Sequence, residues 1–406
     1  MTAHKSILLL GGSRQQVVAI HRAKELGYRT VLCDYLPDNP GQYEADVFYQ
    51  VSTTDPESVL QIAKQEHIEG VLAYSSDPAS PTAGYVAERM GLPTNPLNAI
   101  KTMSEKHLFR TFLHGAGLPC PGAVSIVCPC QRGEVFEVIS GLAYPIVIKP
   151  TDSSGSKGVT VACDASAVMP AVERAVSFSR NGVLIAEEYI ERSYPHVIGG
   201  DIFVVDGEVR FWGLMDCLRD ERLGGLVPVG KCLPPAFSEE VGSRVKRVLQ
   251  RLVSALGVVF GELNVEVIIG PGNVPYVLEL GGRAGGNMIP VMLSDASGID
   301  LVSANVRCAM GVDPGDLRWD SRAVSQPMAT CVLHSIRDGV FSGIEKSDRA
   351  NSCVYREVLY QNHGDHVERF DGANKALGIE FLKFANINEM NEILEDMDRH
   401  IWSIID

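Results

Sequence analysis

Tyr144-Pro145-Ile146-Val147-Ile148-Lys149-Pro150 runs directly into Thr151-Asp152-Ser153-Ser154-Gly155-Ser156-Lys157-Gly158-Val159, and this junction decides the fold. An apolar strand delivers Lys149 at its end, and the loop behind it is built from glycine, serine and one more lysine. Small residues let backbone N–H groups approach phosphate oxygens closely, and lysines neutralise them. Ser153, Ser154, Gly155, Ser156, Lys157 and Gly158 are therefore candidate phosphate contacts. The competing reading is an ordinary hairpin turn rich in small residues. The P-loop pattern Gly-x-x-x-x-Gly-Lys-Ser/Thr does not occur here.

Two further stretches lie downstream. Val183-Leu184-Ile185-Ala186 enters a strand that Glu187-Glu188-Tyr189-Ile190 interrupts. Such a break reads either as a strand leaving the core for solvent or as a hinge whose backbone and Glu187 side chain bind an adenine edge. Further on, Glu262-Leu263-Asn264-Val265-Glu266-Val267-Ile268-Ile269 and Tyr276-Val277-Leu278-Glu279-Leu280 flank Gly270-Pro271-Gly272-Asn273, the pattern of a hairpin. Each arm carries a glutamate inside an apolar run, which is costly unless a cation answers the charge. Carboxylates so placed suit Mg²⁺, a hard ion that also takes phosphate oxygens. Arg283, just beyond, could hold a developing negative charge; a buried Glu–Arg pair of purely structural use is the alternative. Arg219 precedes Pro228-Val229-Gly230-Lys231 at the expected mouth of a site. There it would either grip a phosphate or substrate carboxylate, or belong to a solvated charged turn.

Upstream, residues 1–95 alternate strand-like and helix-like stretches, the rhythm of a parallel sheet. Gly11-Gly12-Ser13 follows the strand Ser6–Leu10, and Asp34 closes the next strand. The third glycine of a dinucleotide fingerprint is absent, which leaves NAD binding weakly supported against a substrate-side or structural use of the loop. Proline-punctuated segments then flank a helix around Ser104–His114, a longer helix covers Ser238–Leu256, and strands are expected at Met328–His334 and Val354–Tyr360. A last helix near Asn388–Ile401 would take Asn388 as its N-cap.

The 406 residues are 45% apolar and 21% charged, the balance of a globular protein with two or three domains. A net charge of −14 disfavours nucleic acids and anionic membrane surfaces as partners. No apolar run approaches bilayer-spanning length and no secretory signal is evident, so the chain reads as cytoplasmic. The ten cysteines are scattered, with Cys128 and Cys130 the only close pair, and read as buried small residues rather than a disulfide framework.

Taken in order, these elements resemble the ATP-grasp superfamily over roughly residues 1–310. Ser104-Glu105-Lys106-His107-Leu108-Phe109-Arg110 resembles the family's first lysine helix, Lys149 its second lysine, and Gly155–Gly158 its phosphate lid. Glu187, Glu188, Tyr189 and Ile190 resemble the adenine hinge, Glu266 and Glu279 the paired metal ligands, and Arg283 the arginine beside the reacting groups. The resemblance implies a mixed α/β and α+β architecture. A Rossmann-like region would cover 1–103, an ATP-grasp domain 104–310 with its lid at about 122–190, and a C-terminal α+β region 311–406. It further implies ATP with Mg²⁺ or Mn²⁺, small-molecule carboxylate and amine substrates, and an ADP-forming ligase working through an acyl phosphate. A homodimer is compatible with it. Ser75–Thr82 and Gly91–Pro96 look like the amino-acid and peptide ligase group, which also resembles carbamoyl phosphate synthase and biotin carboxylase. A small-molecule kinase, a carboxylase-like enzyme and a non-catalytic nucleotide binder are the alternatives.

Three departures stand out. Gly281 occupies the place where the family often has a metal-binding asparagine, which makes Asn287 the substitute candidate. An insertion at Arg192–Gly200 leaves Asp201 as the candidate ribose ligand. Residues after 311 match no motif.

Overall fold

The computed structural model describes residues 5–153, 155–223 and 227–406. The opening alternation closes as a four-stranded parallel sheet, ordered Val47–Gln50, Arg29–Asp34, Ser6–Leu10, Gly70–Leu72. Helices cross over between these strands, and a parallel sheet covered on its faces needs strands apolar throughout. Ile7 to Leu10 are accordingly buried. The Gly11–Ser13 loop has a structural use: Gly12 N–H donates to Asp34 Oδ2 at 2.7 Å, and a Cβ on Gly12 would lie 2.1 Å from Asn39 Oδ1. The acid that a dinucleotide ribose would require is engaged by the loop itself.

A second, antiparallel sheet orders Ala123–Val127, Val183–Glu188, Ile146–Pro150 and Thr160–Ala162. Its strands alternate. Ile146, Ile148, Leu184, Ala186 and Ala162 face the helices Arg132–Val138 and Val168–Val176 and form their own core. The register places Val147 opposite both Glu187 and Val161, so Val147, Lys149, Glu187 and Val161 share the other face.

The third sheet is the largest, with Val274–Gly281, Phe260–Gly270, Val197–Val205, Glu208–Arg219, Pro228–Leu233, Met328–Leu333, Gly378–Lys383 and Val354–Leu359 in that spatial order. Helix Glu239–Leu256 covers one face. Ser238 Oγ accepts from Val241 N–H, Glu239 and Glu240 oppose the helix dipole in the first turn, and Gly257 ends the helix at φ 70°. Val241, Val245, Val248, Leu249, Leu252, Val253 and Leu256, spaced by three and four, pack on Val265, Val267 and Ile198. Burying each such side chain contributes about 1.5–3 kcal/mol. Glu266 and Ile268, one residue out of phase with this core face, point the other way.

The region after 311 extends the large sheet and adds a small one, ordered His366–Val367, Gly339–Lys346, Ile401–Ile405. The expected final helix is shorter than anticipated. It spans Ile387–Glu395, its N-cap is Asn386 rather than Asn388, and Ile401 begins a strand. All ten cysteines are free. Among the described residues no helix is long and apolar enough to cross a membrane.

Within this region Glu357 and Glu380 lie directly opposite across neighbouring strands, and Lys346 Nζ sits 2.6 Å from one and 2.7 Å from the other. One ammonium cannot satisfy two carboxylates equally. Burial first, then the shared contact with Glu357, pushes the Glu380 carboxyl up to about 8, and Glu357 is held below its ordinary value. A carboxyl raised on folding contributes stability that is complete below its unfolded pKa of about 4.3 and is lost as pH rises through the folded value. Thermal melts between pH 4.5 and 8.5 should therefore fall more steeply for the wild type than for Glu380→Gln; parallel curves would remove Glu380 as the cause.

Candidate active site

The cleft lies between the free face of the lid sheet and the large sheet. Val147, Lys149, Val161 and Glu187 form one wall, and Val197, Glu266, Ile268, Leu278 and Glu279 the other. Ser153, Ser156 and Lys157 close the end where the lid loop turns, with Gly155 and Gly158 in left-handed backbone at φ 69° and 71°. Ser154 lies outside the described residues. Glu188, Tyr189 and Ile190 line the opposite end. This hinge is pinned by Glu188 N–H to Gly122 O and Tyr189 N–H to Pro145 O, both at 2.9 Å.

A buried cation cluster organises the cleft. Glu187 is 4% exposed and receives Arg110 Nε at 2.9 Å on one oxygen and Lys149 Nζ on the other. Burial alone would raise this carboxyl, but Arg110 and Lys149 outweigh it and hold it at about 2. Lys149, itself buried, is shifted down by desolvation, with Arg110 and Lys106 adding repulsion and Glu187 opposing. The Glu187 side chain lines the cleft with one cation on each oxygen, so its first role there is to hold Arg110 and Lys149. Arg110 has a part in the site that sequence reading did not give it. Its signal was the four-residue spacing from Lys106, which sets both on one face of helix Lys106–Gly115. Arg110 also donates to Leu278 O at 2.9 Å and so ties that helix to the large sheet.

Glu266 and Glu279 are direct cross-strand partners. Like charges so placed repel unless a cation intervenes. Lys106 contacts Glu279 Oε1 and Ser153 O, the latter at 2.7 Å. Burial raises the Glu279 carboxyl, but Lys106 leads the charges that bring it below its ordinary value. Among the described residues no third carboxylate, histidine or cysteine completes a metal cluster. The pair fits a hard divalent ion whose remaining ligands are phosphate oxygens and water.

Two sequence expectations are corrected. Asp201 is fully buried within the sheet, where Asn264 Nδ2 donates to one oxygen at 2.7 Å and Gly285 N–H to the other at 2.9 Å. It does not line the cleft, so it is not positioned for a ribose. Asn287 is not among the residues that line the cleft, and its backbone N–H donates to Gln15 Oε1 at 2.9 Å. Asp201 is engaged within the large-sheet region by a residue 84 positions away, whereas the Asn287 backbone meets the N-terminal region 272 positions away.

A second cavity of about 380 Å³ adjoins the cleft and shares Lys106, Ser153 and Glu279 of its lining. Its floor is Asn264, Gly281 and Arg283, and its far wall comes from Thr54, Asp77, Pro78 and Pro81 of the N-terminal region. Those residues follow the carboxyl ends of parallel strands, where ligands of such sheets bind. Arg283 meets Asp77 as a two-pronged pair, Nε to Oδ1 at 2.7 Å and Nη2 to Oδ2 at 2.5 Å. Arg219 sits on the other flank, between the cleft and a third cavity of about 670 Å³ walled by the C-terminal segment.

A parallel N-terminal sheet, an antiparallel lid and a charged cleft over a large antiparallel sheet define the ATP-grasp class of ATP-dependent enzyme. Residues 105–315 match the family described as carbamoyl-phosphate synthase L chain, ATP binding domain, and the chain belongs to that family. Its sequence is 26% identical over 339 residues to an uncharacterized protein, y4rH, of Sinorhizobium fredii, covering 79% of this chain and 66% of that one. It is 23% identical over 330 residues to the carbamoyl phosphate synthase large chain of Myxococcus xanthus, covering 76% of this chain and 29% of that one. The chain thus spans under a third of that large chain's length. An L-amino acid ligase from Bacillus licheniformis shares the fold over 100% of both chains, with a TM-score of 0.83 at 18% identity.

Proposed function

We propose that this protein is an ATP-dependent carboxylate–amine ligase that forms an amide through an acyl phosphate and releases ADP and phosphate. The observation that carries the reading is a second cavity, walled by the N-terminal region, that shares Lys106, Ser153 and Glu279 with the cleft. A phosphoryl group at that junction has room on its far side for an organic acceptor. Likeness to an L-amino acid ligase across the full chain supports the same reading.

Glu188 to Ile190 would seat the adenine, and Lys106, Lys149, Lys157 and the lid amides would hold phosphate oxygens. Glu266 and Glu279 would hold Mg²⁺, which would supply charge neutralisation. The substrate carboxylate attacks the γ-phosphorus, the bond to the ADP oxygen breaks, and Arg283 faces the charge that develops. The amine nitrogen then attacks the acyl carbon, and phosphate departs with the C–O bonding pair. An ammonium substrate loses two protons overall, one ending on phosphate and one in solvent. No nucleophilic side chain is needed, and closure of the lid keeps water from the acyl phosphate.

ADP release should be measured with Mg²⁺-ATP against amino acids and other carboxylates, each with and without amines. Release that requires one carboxylate–amine pair, with a product of the coupled mass, is the expected result. Release with a single hydroxylated compound and no amine would make the protein a kinase.

A further inference from the structure

Gly281 ends the strand Val274–Gly281 on the floor of the second cavity, and the geometry around it assigns its missing side chain a use. A Cβ at 281 would lie 3.0 Å from Asp77 Oδ1 and 3.3 Å from Arg283 Cζ. A side chain there, and an asparagine above all, would press on the Asp77–Arg283 pair and make it shift. The missing side chain is what admits a carboxylate from the N-terminal region to the reacting end of the cavity.

That carboxylate changes the electrostatics of the cavity. Arg283 is already answered by Asp77; burial would lower its pKa, and the Asp77 contact outweighs this and raises it. A γ-phosphate and a substrate carboxylate arriving beside Glu279 compete with Asp77 for Arg283, the guanidinium on the N-terminal side of the cavity. Each oxygen of Asp77 uses one lone pair on the guanidinium and keeps another to accept a further N–H. A cationic donor entering from the N-terminal side satisfies those acceptors and answers the Asp77 charge. Resting on the ligase reading above, we propose that Asp77 binds the ammonium group of the amine substrate, and that Gly281 makes this possible. The acceptor class is then a protonated primary amine, such as that of an amino acid, in preference to a neutral amide, a hydroxyl or bicarbonate.

Methylamine and hydroxylamine test this, being close in size but different in charge near neutral pH: the first is an ammonium ion and the second is largely uncharged. With Mg²⁺-ATP and the carboxylate found by the ADP-release panel, hydroxylamine traps an acyl phosphate as a hydroxamate, and methylamine gives the N-methyl amide. In Asp77→Asn the ratio of methylamine to hydroxylamine use should fall at least ~30-fold, through a raised amine KM, as befits removal of one partner of a desolvated charge pair. Gly281→Asn should show the same fall, and Asp77→Asn/Gly281→Asn no more than either alone. Gly281→Ala, which crowds Asp77 with a single methyl, is the gentler variant should the others melt early, and a smaller fall in the same direction is expected. An equal loss with both nucleophiles would overturn the proposal, since Asp77 would then act only by holding Arg283. Absence of hydroxamate in the wild type with every carboxylate would overturn the ligase reading itself, and this outcome is separable because it appears before any substitution.

Discussion

Glu279→Gln should lower steady-state ADP release by at least ~100-fold, the scale seen when one preorganised charge-stabilising group is removed. Glutamine keeps the volume and one hydrogen-bonding oxygen, so the strand and its partner Glu266 stay in register. What disappears is a full negative charge at the junction between the nucleotide cleft and the second cavity. Lys106, which contacts that carboxylate, would lose its partner and lean toward the phosphates, tightening ground-state binding while the ion needed for transfer is held less well. Turnover should therefore fall far more than nucleotide affinity. Binding of Mn²⁺ in the presence of ADP, followed by its paramagnetic signal, should weaken in parallel. Near-normal turnover would mean that the Glu266–Glu279 pair does not hold the ion.

The contrast between Glu279 and Asp201 explains what could be read from the sequence. Sequence alone marks Glu279 as a costly acid inside an apolar run, and Asp201 only as the acid that follows an insertion. Glu279 is legible because its register partner is another glutamate on the adjacent arm of a short hairpin, a pairing the turn Gly270–Asn273 fixes locally. Asp201 belongs instead to Asn264 and Gly285, contacts 63 and 84 residues away. The Asp77–Arg283 pair, separated by 206 residues, was hidden for the same reason, although both residues stand in stretches that drew attention. Lys149, the lid loop and the hinge line one cleft, and each is a local pattern at a strand end. The N-cap two residues early at Asn386 shows the ordinary uncertainty of element borders. The region after 311 stayed opaque because it extends an existing sheet, and added strands carry burial patterns rather than chemistry.

Glu187→Ala should be the most destabilising single change in the cleft, at about 3–5 kcal/mol, because it leaves two buried cations without their shared anion. Arg110 would retain its carbonyl contacts at Leu278 and Val277, whereas Lys149, 8% exposed, has no other described hydrogen-bond partner. Lys149 would then shed its proton or pull the strand Ile146–Pro150 toward solvent, and nucleotide binding should be lost with it. Two measurements separate this from simple loss of packing. In a double-mutant cycle by urea unfolding, Glu187→Ala with Lys149→Met should cost less than the sum of the single changes, since the methionine removes the orphaned charge while filling its volume. The acid limb supplies the second. A carboxyl held at about 2 in the folded state contributes stability that is complete above its unfolded pKa of about 4.3 and is lost as pH falls toward 2. The wild type should lose that increment across the window, while Glu187→Ala, already without it, should show a shallower decline. If the single variant unfolds at the wild-type urea midpoint, the cluster is held by its surroundings, and Glu187 does not set the positions of Lys149 and Arg110 around the phosphates.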